Sequence, residues 1–256
     1  ILTDPNFQEA LGHTLFVVVA SLVIQGPLAI LFALLLNQKF KGRALIRTLI
    51  FVPYVVSEVI VGTGWSLMLQ PTGAVNAVLA KFGISGADWI ADPKIAIWTL
   101  MFIISWKYIG FAVILMIAGM QSIPEDLYEA AKVDGAGFWR QQWSITLPLL
   151  GPTIRMWAFM SIIGSLQLFD LVYIIWGQYV SSTAGTSTMA TYMVREGRLA
   201  NNYGYGSAVA VVIFVISLVI ALTYQHIVMN RDLDGALTDG KRGKRSRGTI
   251  VTSEVA

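Results

Sequence analysis

Cysteine is absent from this sequence of 256 residues, and histidine occurs only twice, at His13 and His226. Without cysteine there can be no disulfide framework, no thiolate metal site and no cysteine nucleophile. The two histidines lie at opposite ends of the chain and do not form a histidine-rich metal site on their own. A glycine-rich phosphate-binding motif followed by Lys-Ser or Lys-Thr is also missing. We therefore expect this chain to have no metal site, no catalytic centre and no nucleotide site.

Charged residues are scarce as well. They make up 13% of the chain, and apolar residues make up 55%. A soluble domain of average composition has about a quarter of its residues charged. A shortage of this size argues against an ordinary soluble domain and makes the lipid bilayer the first environment to test.

Five stretches are long and apolar enough to span a bilayer as helices, which takes about 20 residues. Each is apolar around most of its circumference, as expected where lipid or another helix lies on every side. The alternating segments of about ten residues that are typical of membrane barrels are not found. The sequence predicts an all-α membrane protein, a polytopic bundle of five transmembrane helices over residues 12–36, 45–69, 95–120, 153–176 and 207–229.

Lysine and arginine predict the orientation of these spans. We place the basic run at residues 241–247 in the cytoplasm and count the spans backward. Most basic residues then face the cytoplasm, and only Lys81, Lys94, Arg195 and Arg198 lie outside. The tail over residues 231–256 is glycine-rich and basic, and we expect it to be disordered. It either contacts anionic lipid or is a solvated tail that helps to fix the topology, which is the simpler interpretation.

An odd number of spans places Ile1 outside, and the chain begins without an initiator methionine or a signal peptide. A chain that starts outside usually needs an upstream segment to bring it there. We therefore expect a sixth span before Ile1. The alternative is a short segment that crosses the membrane unaided.

Residues 121–152, between the third and fourth stretches, are more patterned than a simple connection. A helical pattern begins at Pro124 and has two carboxylates in its first turn, where negative charge suits the helix dipole. Asp134-Gly135 ends this helix with a turn that glycine makes easy. The helix is short and carries two alanines, so its surface is flat.

A second helical pattern begins at Phe138, and we expect Pro148 and Gly151-Pro152 to break the chain before the next span. A small, partly apolar helix with flanking carboxylates suits a groove on a partner protein. The alternative is a helical hairpin that only packs under the bundle. The residue pattern alone leaves both interpretations open.

The same loop carries a motif of fixed spacing. Glu129-Ala130-Ala131 is followed after three residues by Gly135, and after nine more by residues 145–148, which read Ile-Thr-Leu-Pro. This pattern resembles the EAA loop of ABC importer permeases. Three flanking strings are similar to the sugar-uptake branch of that family, which includes the larger maltose permease subunit: Trp106-Lys107, Gly110-Phe111 and Phe169-Asp170-Leu171.

The resemblance implies the type I ABC importer permease fold over residues 1–230, followed by the tail over residues 231–256. It implies that the loop forms coupling helices, which sit in a cleft of a separate nucleotide-binding subunit. There Glu129 would pair with a basic residue and Gly135 would allow a close turn. The residues expected to couple to the ATPase are Glu129, Ala130, Ala131, Asp134, Gly135, Ile145, Leu147 and Pro148.

The resemblance also implies the partners. These are a second permease subunit in a heterodimer, two nucleotide-binding ATPase subunits and an extracytoplasmic solute-binding protein, in a bacterial or archaeal inner membrane. ATP and Mg would bind to the ATPase subunits, and the chain would be a permease rather than an enzyme. We expect no nucleic acid partner. The expected substrate is a sugar or an oligosaccharide.

Polar groups inside spans are costly and usually face a cavity, so they predict where a substrate passes. Helical spacing places Tyr54 and Glu58 on one face of the second span, and similar spacing selects residues on the third and fourth. Each residue has helix–helix packing as its alternative role. At about the depth of the family's sugar pocket, the candidates are Tyr54, Glu58, Tyr108, Phe111, Ser161, Ser165 and Leu168.

Two more charges, Lys107 and Asp170, lie within the third and fourth spans. In the simplest interpretation, Lys107 pairs with Glu58 or Asp170, which neutralises both partners. The same three charges would suit an ion-gradient-driven secondary transporter, the main alternative function, although such a carrier needs no ATPase dock. A membrane-embedded enzyme would need a catalytic centre that the sequence lacks.

Overall fold

The structure, a computed structural model, describes residues 1–38 and 40–229. All regular structure in these residues is helical, as the sequence predicts, and no strand occurs among them. The tail over residues 231–256 lies outside the described residues, so its disorder stays a prediction.

Most helices follow one another with short connections, and the longest connection, over residues 82–95, joins the fourth helix to the fifth. Four π-helical segments occur among the described residues: Ser21–Gln25 within the first helix, Gln142–Thr146 within the seventh, Arg195–Leu199 after the tenth and Gln225–Met229 at the end of the eleventh. The helices are α1 (Pro5–Leu36), α2 (Arg43–Val55), α3 (Glu58–Met68), α4 (Ala74–Lys81), α5 (Ala96–Gln121), α6 (Glu125–Val133), α7 (Phe138–Leu149), α8 (Gly151–Leu166), α9 (Asp170–Thr183), α10 (Met189–Val194) and α11 (Tyr203–Val228).

Three helices, α1, α5 and α11, are each long and apolar enough to cross a membrane. Two bent pairs, α2 with α3 and α7 with α8, are long and apolar enough when each pair is taken together. By length and composition, the described residues therefore contain 3 spans, or up to 5 if each bent pair is one span. Each of the five predicted stretches overlaps one of these helices or pairs.

The second predicted stretch is not one straight helix. α2 and α3 meet at 94°, because Val56 and Ser57 between them have extended backbone conformations. Pro53 lacks an N–H group and weakens the last turn of α2. The Ser57 side chain then accepts a hydrogen bond from the Val59 N–H (3.3 Å), which is an N-cap for α3. Glu58 starts the new helix, where a carboxylate is favourable.

The fourth stretch also differs from a single helix. α8 ends at Leu166 and α9 begins at Asp170, with a non-helical step between them. The chain breaks before this span, as expected from Pro148 and Gly151-Pro152: α7 and α8 meet at a 63° bend at Leu150, while Pro148 itself lies within the last turn of α7. The π-helical segment Gln142–Thr146 ends two residues before this proline.

The centre of the bundle is α5. In the 18-residue apolar stretch of α5, 56% of the residues are buried, whereas only 17% are buried in the corresponding stretch of α11. Leu100 and Ile103 of α5 belong to one apolar core cluster, and Val113 and Met116 belong to another nearer the 121–152 loop. α1, α2 and α8 pack around this helix, so α5 positions the side chains of its neighbours.

The start of α1 is tied to the later part of the chain by one carboxylate. Asp4 accepts hydrogen bonds from the hydroxyls of Tyr192 (2.6 Å) and Tyr205 (2.8 Å) and from the Asn6 N–H (2.9 Å). The two tyrosine hydrogen bonds favour the charged carboxylate and lower the pKa of Asp4 to about 2. The start of α1 is therefore held to α10 and to the start of α11, at the end of the bundle away from the 121–152 loop.

Close helix packing depends on glycine at a few points. A Cβ atom at Gly110 of α5 would overlap the backbone carbonyl of Ile50 in α2. A Cβ atom at Gly62 of α3 would come within 2.7 Å of the Ile174 side chain in α9. Small residues at helix crossings let backbones approach in this way.

We expect Gly110→Ala to lower the free energy of unfolding by about 1–3 kcal/mol, because the added methyl group forces α2 away from α5. Gly12→Ala is the matched control, since a Cβ atom at Gly12 meets no atom within 4 Å. The control should be equal to the wild type in stability or slightly above it, because alanine favours the helix. Thermal unfolding of the purified protein in detergent measures both. Equal melting temperatures for the two variants would contradict the packing argument.

Candidate functional site

A cavity of about 370 Å³ lies among α1, α2, α5 and α8. This volume is within the range of roughly 300–1,000 Å³ that is typical of small-ligand sites. The described residues that line it carry no charged side chain. They are Val17, Ser21, Gln25, Tyr54, Ile104, Tyr108, Phe111, Trp157, Met160, Ser161, Gly164, Ser165 and Leu168.

Most of the substrate-pathway candidates from the sequence lie in this lining: Tyr54, Tyr108, Phe111, Ser161, Ser165 and Leu168. They come together because each group of them shares a face of one helix, and the faces of α2, α5 and α8 converge. Glu58 is not in the lining. Whether these residues contact a substrate stays a prediction.

Aromatic rings form one wall of the cavity. The rings of Tyr54 and Phe111 are stacked, with centroids 5.0 Å apart and planes 20° from parallel. Tyr108 meets Tyr54 edge-on at 6.1 Å. Trp157 of α8 also lines the cavity and is buried against Gly26, where a Cβ atom would lie 2.9 Å from two of its ring carbons. The cavity is therefore lined with aromatic rings from α2, α5 and α8.

Polar atoms of the lining come from hydroxyl and amide groups. Ser21, Gln25 and Ser165 are buried, and the Gln25 Nε2 atom has no hydrogen-bond partner among the described residues. Ser21, Gln25 and Trp157 were not predicted from the sequence. A signal for Gln25 existed, because it is a polar amide inside an apolar stretch directly before Gly26.

Glu58 has a specific partner beside the cavity. Its carboxylate accepts a hydrogen bond from the Tyr108 hydroxyl, whose ring lines the cavity. Because Glu58 is the first residue of α3, the N-terminal end of that helix also stabilises its negative charge. Glu58 thus fixes the position of the Tyr108 ring.

Lys107 does not pair with a carboxylate, so the pairing expected from the sequence is wrong. Its buried ammonium group donates hydrogen bonds to the backbone carbonyls of Val56 (2.8 Å) and Pro53 (3.4 Å), and no ion pair joins it to Glu58 or Asp170 in the described part of the chain. The Pro53 carbonyl lies in the last turn of α2, and the Val56 carbonyl lies at its C-terminal end. A cation at a helix C-terminus satisfies such groups where no water is present.

Asp170 lies in the first turn of α9, where its charge suits the helix dipole. Just before it, the carbonyl of Leu168 accepts a hydrogen bond from the Thr188 hydroxyl (2.7 Å). The step between α8 and α9 is therefore held by the buried segment that leads into α10.

The 121–152 loop has the predicted two-helix form. α6 ends in a Schellman motif, in which the Ala136 N–H donates to the Ala131 carbonyl (2.8 Å) and the Gly135 N–H donates to the Lys132 carbonyl (3.0 Å). Gly135 has a φ of 75°, a left-handed conformation that residues with a Cβ atom adopt at a cost. The glycine therefore closes the turn that the motif spacing predicts.

Hydrogen bonds join the two helices of the loop. Thr146 donates to the Gln142 side chain (2.8 Å), so the Tyr128 hydroxyl is the donor in its 2.9 Å contact with Thr146. The Gln141 side chain donates to the Ala136 carbonyl (2.8 Å). These contacts make the α6–α7 hairpin a single unit.

The α6–α7 hairpin does not pack under the bundle as the alternative interpretation requires. No residue of α6 is buried, and Val133 is 89% exposed. Trp139 and Trp143 of α7 are also largely exposed. Among the coupling candidates, Glu129, Ala130, Asp134, Gly135 and Pro148 are exposed, and Ala131, Ile145 and Leu147 are partly buried.

Residues 25–231 match the family described as binding-protein-dependent transport system inner membrane component, and the chain belongs to this family. It is a membrane-spanning permease subunit of an ATP-binding cassette importer, as the motif in the α6–α7 hairpin predicted. The permease nature of the chain and its multi-pass membrane location follow from this family.

The chain is similar to several named permeases. It is 31% identical over 224 residues to the arabinooligosaccharides transport system permease protein AraP of Bacillus subtilis, covering 86% of this chain and 71% of that protein. It is 33% identical over 208 residues to the trehalose/maltose transport system permease protein MalF of Thermococcus litoralis, covering 81% and 70%. The fold resembles a chain in the crystal structure of a bacterial ABC transporter involved in the import of the acidic polysaccharide alginate, with a TM-score of 0.82, 30% identity and coverage of 90% and 81%.

We expect Lys107→Met to lower the free energy of unfolding by about 1–3 kcal/mol, because the carbonyls of Pro53 and Val56 lose their buried donor. Lys81→Met removes the same charge from an exposed site and serves as the control. Chemical or thermal unfolding of the purified protein in detergent measures the difference. A Lys107→Met variant as stable as the control would show that Lys107 does not hold the end of α2.

Proposed function

We propose that this permease transports a sugar or an oligosaccharide through the cavity among α1, α2, α5 and α8. The observation that carries the proposal is the cavity lining, which combines stacked aromatic rings with hydroxyl and amide groups. Sugars present flat CH faces that stack on aromatic rings, and hydroxyl groups that need donors and acceptors. The lining of this cavity supplies both kinds of contact.

The names of the relatives support the same substrate class. They refer to arabinooligosaccharides, to trehalose and maltose, and to lactose, and the similar solved transporter imports alginate. A further solved structure contains that alginate transporter in complex with a periplasmic protein bound to an alginate pentasaccharide. We infer that an extracytoplasmic solute-binding protein delivers the sugar to this permease as well.

The transport cycle is driven, in this proposal, by two ATPase subunits, one of which holds the α6–α7 hairpin of this chain in a cleft. The exposed Glu129 and Ala130 and the partly buried Ala131 of α6 form the contact surface, and Asp134 and Gly135 form the turn that follows it. ATP and Mg bind to those subunits, and this chain contributes no catalytic group.

The connections of the α6–α7 hairpin support this role. α5 leads into α6 through residues 122–124, and α7 leads into α8 at the 63° bend. α5 carries Tyr108 and Phe111, and α8 carries Ser161 and Ser165. Because the hairpin is cross-linked by hydrogen bonds, displacing it moves both helices that bear the cavity wall.

A second permease subunit completes the pathway in this proposal, with the chain in a bacterial or archaeal inner membrane and its C-terminus in the cytoplasm. An ion-gradient-driven carrier is less well supported. Lys107 is bound to backbone carbonyls, and Glu58 holds the Tyr108 hydroxyl. Both charged groups are therefore engaged in contacts that position parts of the fold.

The direct test is uptake by the whole importer in proteoliposomes, with ATP inside and the cognate solute-binding protein outside. Binding of mono- and oligosaccharides to that solute-binding protein selects the sugars to try. We expect ATP-dependent uptake of at least one of them. ATP-dependent uptake of a substrate that is not a sugar, with no sugar bound by the solute-binding protein, would refute the substrate class.

For the α6–α7 hairpin, we expect Glu129→Lys combined with Gly135→Asp to reduce uptake on the order of tenfold or more. Loss of a charge-assisted contact costs roughly 1.5–3 kcal/mol, and a side chain at Gly135 strains the turn. Glu9→Lys reverses an exposed charge on α1, and Gly137→Asp adds a side chain where φ is −67°. Both controls should retain uptake at wild-type membrane levels. Normal uptake by the double variant would rule out the coupling role.

For the cavity, we expect Phe111→Leu to lower the uptake rate by roughly 2- to 10-fold, because an aromatic stacking contact contributes about 0.5–1.5 kcal/mol. Phe102→Leu is the control on the same helix, since Phe102 is 57% exposed and does not line the cavity. Initial uptake rates in proteoliposomes measure both. If the two variants behave alike, the stacked rings do not contact the substrate.

A further inference from the structure

One polar side chain of the cavity is unexplained by the fold. Gln25 is 3% exposed and lines the cavity, yet its Nε2 atom has no hydrogen-bond partner among the described residues. A buried amide without a partner costs about 1–3 kcal/mol, and such groups in native proteins call for an explanation. An apolar residue of the same length would fill this position without that cost.

The backbone presents Gln25 to the cavity. Gln25 is the last residue of the π-helical segment Ser21–Gln25, which interrupts α1 in the membrane. Val17, Ser21 and Gln25 are four residues apart in the chain, so they share one face of α1, and all three line the cavity. Gly26, the next residue, receives the Trp157 ring.

The rest of the lining defines what the amide can meet. No described lining residue is charged, and the nearby Lys107 ammonium is engaged by the carbonyls of Val56 and Pro53. An anionic ligand would find no free cation in this lining. A neutral ligand that offers hydroxyl oxygens fits, because a carboxamide both donates to and accepts from a hydroxyl group.

We propose that Gln25 is a specificity-determining residue, and that its carboxamide turns toward the cavity and forms a hydrogen bond with one hydroxyl group of an uncharged sugar unit there. This inference rests on the proposed function. The rings of Tyr54 and Phe111 stack on one face of the sugar, and Gln25 selects for a hydroxyl group at one position of the sugar ring. The cavity accordingly prefers neutral glycosyl units to uronates.

The test uses the whole importer in proteoliposomes with saturating solute-binding protein and a transported sugar together with its monodeoxy analogues. The wild type should transport one analogue about 3- to 10-fold more slowly than the parent sugar, the effect of one neutral hydrogen bond. Gln25→Met should lower the rate for the parent sugar by that factor and should transport that analogue and the parent sugar equally. Gln38→Met, the same exchange at an exposed position, should keep the wild-type pattern.

Stability separates recognition from a structural role. Gln25→Met replaces an unpartnered amide by an apolar side chain of similar size, so the ligand-free variant should melt at or above the wild-type temperature. A lower melting temperature would overturn the inference, because it would show that the amide supports the fold.

Three other results would overturn the inference while leaving sugar transport intact. In the first, Gln25→Met still transports the sensitive analogue more slowly than the parent sugar, by the wild-type factor. In the second, Gln25→Met loses the same fraction of the rate for the parent sugar and for every analogue. In the third, the wild type transports a uronate oligosaccharide as fast as the corresponding neutral oligosaccharide. If the wild-type importer transports no sugar at all, the proposed function fails, and this inference fails with it.

Discussion

Backbone groups that lie at membrane depth must be paired within the protein, since lipid supplies no hydrogen bonds. The break between α2 and α3 frees groups at two helix ends. The Ser57 side chain serves the N–H end of α3, and Lys107 serves the carbonyl end of α2. Because Lys107 belongs to α5, this pairing fixes α2 against α5. The stacking of Tyr54 on Phe111 depends on that placement.

The π-helical segments have a related role. Ser21–Gln25 carries two polar residues that line the cavity, and Gln142–Thr146 supplies the Gln142 and Thr146 side chains that join α7 to Tyr128 of α6. A π-helical turn is a less favourable conformation than an α-helical turn, and it often occurs at functional sites. Here one such segment lies at the cavity and another in the α6–α7 hairpin.

The sequence predicted the α6–α7 hairpin well, because its signals are local: Pro124 precedes α6, and the glycine at position 135 takes the left-handed conformation that ends it. The cavity residues of α2, α5 and α8 followed from helical spacing. Gln25 was not predicted, because candidate residues were taken only from the second, third and fourth spans, although a polar amide within the first span is a signal of the same kind. The break at Val56–Ser57 was missed because hydropathy averages over it, although Ser57-Glu58 is a recognisable helix start. The hydrogen-bond partners of Lys107 could not be predicted, because they are backbone carbonyl groups, which every residue has.

The break in the second span also bears on how such a protein can change in evolution. An insertion in a continuous helix turns every later side chain by about 100°. The extended residues Val56 and Ser57 stop that rotation, since α3 starts anew with its own cap. α3 packs against α9, whereas α2 packs against α5. The half of the span that carries Tyr54 therefore keeps its register when the other half gains or loses a residue.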